Sequence, residues 1–453
     1  MTKKGIDHYL DLFRAREKES GGSVPAWLAR LRREAIDRFE ALGFPTVRQE
    51  AWRFTDVSPI AREPFRPVDG YRPNGLDVPT IKGFTYPGLE GPRLVFVNGH
   101  FAADLSDLSM MGNLPDGVRV GSLARAIQED PGSVEPYLTR QAGPLDSAKD
   151  QPFVALNSAF LGDGAFIHFP KGLTVSEPIH LLFLSVPAGA TTVSHPRNLI
   201  VAEEGSRGLV IESYGGHGEG RYYTNAVTEV IAGSGAVIEH CKVQEEAPGA
   251  YHTAVLRVRQ ECDSSVVSHS ISLGGALVRN DLDFLLGGRG VDCTLNGLYV
   301  VGGNQHVDHH TTVDHAEPNG TSRELYKGIL DDTSQGVFHG KIIVRQDAQK
   351  TNARQTNKNL VLSEKAGINT QPSLEIYADD VKCTHGATIG QLDPLSLYYL
   401  RSRGITETDA RTLLTYGFMD DVIGKIGCEP VRAHLECLLL TRIREASRIR
   451  SSP

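Results

Sequence analysis

The 453-residue sequence contains no phosphate loop of the form G-x-x-x-x-G-K-[ST]. Its nearest strings, Gly336 to Lys341 and Gly417 to Lys425, have the wrong spacing and run into Ile, so this chain is not expected to bind ATP itself. The nucleophile elbow G-x-S-x-G, the zinc helix H-E-x-x-H and the dinucleotide turn G-x-G-x-x-G are missing too, which leaves a self-contained enzyme only less common chemistry. Cysteine is sparse. Cys241, Cys262, Cys293, Cys383, Cys428 and Cys437 span half the chain without a C-x-x-C pair, and in a large cytosolic chain such residues read as thiols rather than a disulfide framework. Positive charge is not in excess, since 47 Lys and Arg face 55 Asp and Glu for a net charge of -8. A nucleic-acid backbone would find no basic face to neutralise. Apolar runs such as Ile179 to Val186 fall well short of the roughly 20 residues of a membrane span. Residues 1 to 20 carry charges where a signal peptide needs an apolar core. The expectation is a cytoplasmic protein with neither nucleic acid nor membrane as partner.

What is present falls into three textures. Near the N-terminus, Trp27, Leu28, Leu31, Ala35, Phe39 and Leu42 recur at helical spacing from about Ser23, with Pro25 at a first-turn position and Gly43 and Pro45 as the stop. Pro64 to Gly91 is rich in Pro and Gly and reads as irregular. From about 152 to 380, short Val, Ile and Leu runs alternate with Gly, Asn, Asp and Ser. There, Val267, His269, Ile271 and Leu273 share one strand face and Ser268, Ser270 and Ser272 the other. More than ten such strands, without crossover helices or tight hairpins, favour a solenoid or a sandwich. Alternation alone leaves that choice open. Helix signals return with Asp393 as an N-cap before Pro394, Thr406 with Asp409 as a capping pair, and Leu435, Leu438, Leu439 and Ile443 along a last helix.

Two constellations carry chemistry. In Lys382-Cys383-Thr384-His385, an extended backbone puts the Cys383 thiol and the His385 imidazole on one side, about 7 Å apart. Both are iron or zinc donors, but two ligands do not close a site, so others must come from elsewhere. In Gln305 to His315, one strand face carries His306, Asp308 and His310 and the other Val307, His309 and Val313. That pattern suits hydrogen-bonded histidines on a polar strand face better than a metal centre. The adjacent carboxylates Asp331 with Asp332, and Asp379 with Asp380, suit turns.

The string from Leu374 through Cys383 and His385 to Thr388, followed by Gly390 to Asp393 and Tyr399 to Gly404, resembles the SufB/SufD family of the SUF iron-sulfur cluster assembly system, and within it the SufD proteins. Gln305 to Gly328, Gly340 to Leu360 and Glu50 to Thr55 agree with that resemblance. It implies a mainly β fold, a right-handed parallel β-helix core flanked by helical regions. The expected division is 1–150 helical and irregular, 151–390 β-helix, and 391–453 helical. It further implies a non-catalytic scaffold that pairs with SufB through the β-helix and binds the ATPase SufC through the C-terminal helices. Cys383 and His385 are then the metal-site residues, facing SufB where a transient iron-sulfur cluster is shared, and the isolated chain could pair with itself. The rival is a β-helical carbohydrate-active enzyme; such proteins are usually secreted and need a groove of carboxylates.

Overall fold

The computed structural model describes residues 2–20, 24–68, 70–73, 75–138, 151–187 and 191–451. Its core is a parallel β-solenoid of about eight turns with helices at both ends of the chain. One sheet runs from Ala165–Phe169 through Arg197–Ala202, Tyr222–Ala232, Tyr251–Gln260, Leu277–Leu286, His306–His315 and Gln335–Val344 to Gly367–Ile376. The second runs from Arg93–Val97 through Ile179–Ser185, Arg207–Gly216, Val237–Glu245, Ser265–Ser272, Asp292–Val301, Thr321–Leu330 and Asn352–Val361 to Lys382–Gly390. Consecutive strands alternate between the sheets, which decides for the solenoid over the sandwich.

One corner of each coil is set by a residue in the left-handed region. Gly205, Gly235, Asp263, Gly290, Asn319 and Lys350 have φ of 68°, 69°, 56°, 73°, 62° and 65°. Each donates its N–H to a carbonyl of the next coil, so the corners stack as a column. Gly and short polar residues adopt this conformation at little cost.

Inside and outside differ from an ordinary sandwich. The interior mixes apolar side chains such as Val266, Phe284, Leu295 and Phe338 with many buried polar ones, Ser268, Ser270 and Ser272 among them. The serine face of that strand therefore points into the solenoid. Its Ile271 and Leu273 point outward, beneath the C-terminal helices Glu407–Ile423 (α5) and Glu429–Ser451 (α6), which follow the more exposed helix Pro394–Ser402 (α4). Met419, Val422, Leu435 and Leu439 close that apolar layer over Cys241, Val243, Leu298 and Ile329.

No element is expected over residues 1 to 20 from their charges, yet the chain forms the helix Thr2–Ser20 (α1) because Tyr9, Leu10 and Phe13 bury against their neighbours. The helix expected from Ser23 starts at Ala26 and ends at Leu42 (α2), with Pro25 just before its first turn and Gly43, φ 65°, donating to the Phe39 carbonyl; Ser23 lies outside the described residues. Both helices pack with the buried helix Pro152–Ala159 (α3) through an aromatic cluster of Tyr9, Phe13, Phe39, Phe44, Phe153 and Phe160. The C-terminal caps follow their residues: the Asp393 carboxylate accepts from the N–H groups of Leu395 and Ser396, and the Thr406 hydroxyl from Asp409. No described helix is long and apolar enough to cross a membrane.

Candidate functional site

The candidate residues Cys383 and His385 lie on the last turn. Gly367–Ile376 and Lys382–Gly390 each pair with a neighbour of their sheet on one side only, leaving two open strand edges. Register places Cys383 over Ala353 and His385 over Gln355, both of which are buried in the solenoid interior. Cys383 and His385 thus stand on the interior-facing side of a turn that no further turn covers, Cys383 half-buried and His385 exposed. Burial pushes the Cys383 thiol up, so acting as a ligand or nucleophile requires it to lose a proton that it holds at neutral pH. Among the described residues, no group of three His, Cys, Asp or Glu could hold a metal ion.

Apolar groups surround the pair. Ile376, Tyr377 and Ile389 are 42%, 63% and 56% exposed on this turn, and Leu395 and Tyr398 on the adjoining α4 reach 77% and 73%. Solenoids normally close their ends with a polar cap, whereas this turn leaves apolar side chains exposed beside two open edges.

Beneath the pair runs a polar interior line that sequence reasoning did not single out. Gln355 donates to Glu324 at 2.7 Å, and burial pushes the Glu324 carboxyl up to about 7. That burial outweighs the hydrogen bonds from Thr311 and Gln355, which act to lower it. Deeper in, Lys242 Nζ donates to Asn280 Oδ1 at 2.6 Å and lies 2.8 Å from His252 Nε2; burial pulls it down to about 8 against the opposing charges of Glu212 and Glu246. Asn280 reaches His309 at 3.1 Å, and His309 stacks on Tyr299. The Tyr299 hydroxyl donates to Asn359, Asn359 donates to Asn357, and the Thr370 hydroxyl donates to Asn357 at 2.8 Å. Thr370 belongs to the last turn, so the polar line reaches the open end. Its available signal was alternation itself: serines or asparagines at every second position of strands that alternate as core strands do.

The His306–His315 strand keeps the two faces expected of it, with hydrogen-bonded histidines as its pattern suggests. Arg279 Nη1 donates to Asp308 Oδ2 at 2.5 Å, its Nη2 to Asp281 at 2.7 Å, and its guanidinium lies 4.2 Å from the Trp52 ring centroid. The Thr55 hydroxyl donates to Asp308 at 2.5 Å and lies 2.9 Å from His306. Burial alone would raise the Asp308 carboxyl, but Arg279 and His310 outweigh it and hold it well below the usual carboxylate range. The Glu50–Thr55 segment is thereby sealed onto the solenoid. Asp331 and Asp332 lie at a corner, where Asp332 takes φ 54°.

Comparison with known proteins adds the lineage. The family model described as "SUF system FeS cluster assembly, SufBD core domain" matches residues 185–418, and "SufBD protein N-terminal region" matches residues 3–181. An iron-sulfur cluster assembly SufBD family protein of Synechocystis is 33% identical over 422 residues, 91% of each chain. The iron-sulfur cluster assembly protein SufD of Escherichia coli is 31% identical over 83% of this chain and 84% of its own. That of Bacillus subtilis is 27% identical over 98% and 99%.

Proposed function

This chain belongs to the SufBD family of SUF-system iron-sulfur cluster assembly proteins, and on that premise we propose that it is a SufD-type scaffold, non-catalytic by itself. Its partners in this reading are SufB, met at the open end of the solenoid, and the ATPase SufC. The observation that carries it is the uncovered last turn, where two open strand edges, exposed apolar side chains and the half-built donor pair Cys383 and His385 coincide. SufB would supply the remaining ligands of a nascent cluster, the product of the assembly rather than a resident cofactor. The same edges offer the isolated chain a route to pair with itself. The division into 1–150, 151–390 and 391–453 follows the three roles of N-terminal cover, solenoid and ATPase docking. Docking of SufC is assigned to the exposed face of α4, since α5 and α6 are committed to the apolar layer on the solenoid. ATP hydrolysis belongs to SufC because this sequence has no phosphate loop.

The test is His385→Ala. Its side chain is exposed, so the three-protein complex should still co-purify while cluster assembly fails, read as lost growth of a strain dependent on this pathway. Normal growth would remove the role assigned to His385, and a complex that falls apart would make it structural.

A further inference from the structure

One strand below the last turn, a recess of about 410 Å³ lies on the outer face of the second sheet, beside the end of α5. Register stacks like charges there, Arg323 beside Arg354 and Lys327 beside Lys358. Like charges directly opposite on neighbouring strands cost stability unless something neutralises them. One member of each pair is neutralised within the chain: Arg323 reaches Asp292 at 2.8 Å, and buried Lys327 is held by Asp421. The other members are not. Arg354 and Lys358, together with Lys425 across the recess, line it, and their side chains make no salt bridge or hydrogen bond among the described residues.

Their fields converge. The Asp421 carboxyl is drawn below its ordinary value first by the hydrogen bond from Lys327 and then, against burial, by the charges of Lys327, Lys358 and Lys425. The other lining carboxyl, Glu324, is buried and bonded to interior Gln355, leaving Asp421 to face the three ammonium groups of Lys327, Lys358 and Lys425. In a chain of net charge -8, this is a local positive basin. Arg354 and Lys358 lie four residues apart on one strand face, roughly 13 Å, with the Thr294 and Thr356 hydroxyls also at the lining. The volume is that of a small-molecule site, and a guanidinium fork with two ammonium groups is the donor set that recognises phosphate oxygens.

We propose that this recess binds a compact phosphate-bearing anion of diphosphate size, held by Arg354, Lys358 and Lys425. The recess opens on the outer face of the sheet, whereas Cys383 and His385 stand on the inner face of the neighbouring strand. The test is calorimetric titration of the full chain with inorganic pyrophosphate at low salt, with citrate in parallel. Pyrophosphate should bind at one site per chain, more tightly than citrate. Arg354→Gln and Lys358→Gln should each weaken it about tenfold, the scale of a lost charge-assisted hydrogen bond, whereas Lys18→Gln on α1 should change nothing. Both target side chains are exposed, and unchanged melting of the variants confirms the fold. No pyrophosphate binding, or equal binding by the double variant, overturns the site; citrate binding as tightly as pyrophosphate overturns its assignment to phosphate.

Discussion

Replacing both Ile376 and Ile389 by Lys tests whether the open end is an interface. These side chains are 42% and 56% exposed, so pairing would bury about one further Ile side chain's worth of surface between them. At ~1.5–3 kcal/mol for a fully buried Ile, that loss alone lowers an association constant about ten- to hundredfold. An ammonium on an edge strand adds a desolvation cost and is the device by which sheet edges commonly block pairing. The isolated fold should survive, because the side chains are only half-buried and Lys can lay its stem along the surface with its charge in water. Sedimentation velocity of the isolated chain measures self-association, co-purification measures pairing with SufB, and a denaturant titration controls for stability. Association changed by less than about threefold, with the variant folded, would refute the reading of this turn as an interface, since the change expected is about tenfold or more.

Leu395→Ser, Tyr398→Ser and Tyr399→Ser together remove the exposed face of α4 without touching the α5 and α6 contacts; SufC should no longer co-purify while the melting transition stays in place. Glu324 gives a pH dependence of defined sign. Its folded carboxyl is raised from 4.5 to about 7, so its contribution to stability is fully present below pH 4.5 and is lost as pH rises through 7, by ~3 kcal/mol. Glu324→Gln should lack this component, and denaturant titrations of both proteins at pH 5 and pH 8 should show the variant losing less on going to pH 8.

The sequence was most legible where local chemistry is decisive. Asp393 and Thr406 cap helices as their spacing indicates, and the last helix buries Leu435, Leu439 and Ile443 as its stripe requires. The extended backbone expected at Cys383 and His385 is the strand Lys382–Gly390, and the solenoid was legible through the family string. Periodicity could not supply it because the coils differ in length: Tyr251 pairs with Leu277, Leu277 with His306 and Gln335 with Gly367, so no fixed repeat survives. The helix α1 was hidden because its buried side chains, Tyr9, Leu10 and Phe13, sit among many charges. The basic recess was equally invisible, since Lys425 joins Arg354 and Lys358 only through the packing of α5 on the sheet.

The least legible feature bears most on how the open end works. Alternation reports that a strand has two faces and not which one is inside; here the serines of Ser265–Ser272 face inward while Ile271 and Leu273 are covered from outside by α6. A solenoid with a wholly apolar interior would expose a greasy cross-section wherever it stopped and would aggregate there. This interior carries a hydrogen-bonded line that reaches Thr370, and the last turn adds His385 beside it. Water can satisfy those groups in the free chain, so the end tolerates exposure. Ile376, Tyr377 and Ile389 then supply the apolar surface that makes covering it favourable. On the proposed pairing, that division of labour lets one turn be both the end of the solenoid and a surface to which another chain adds.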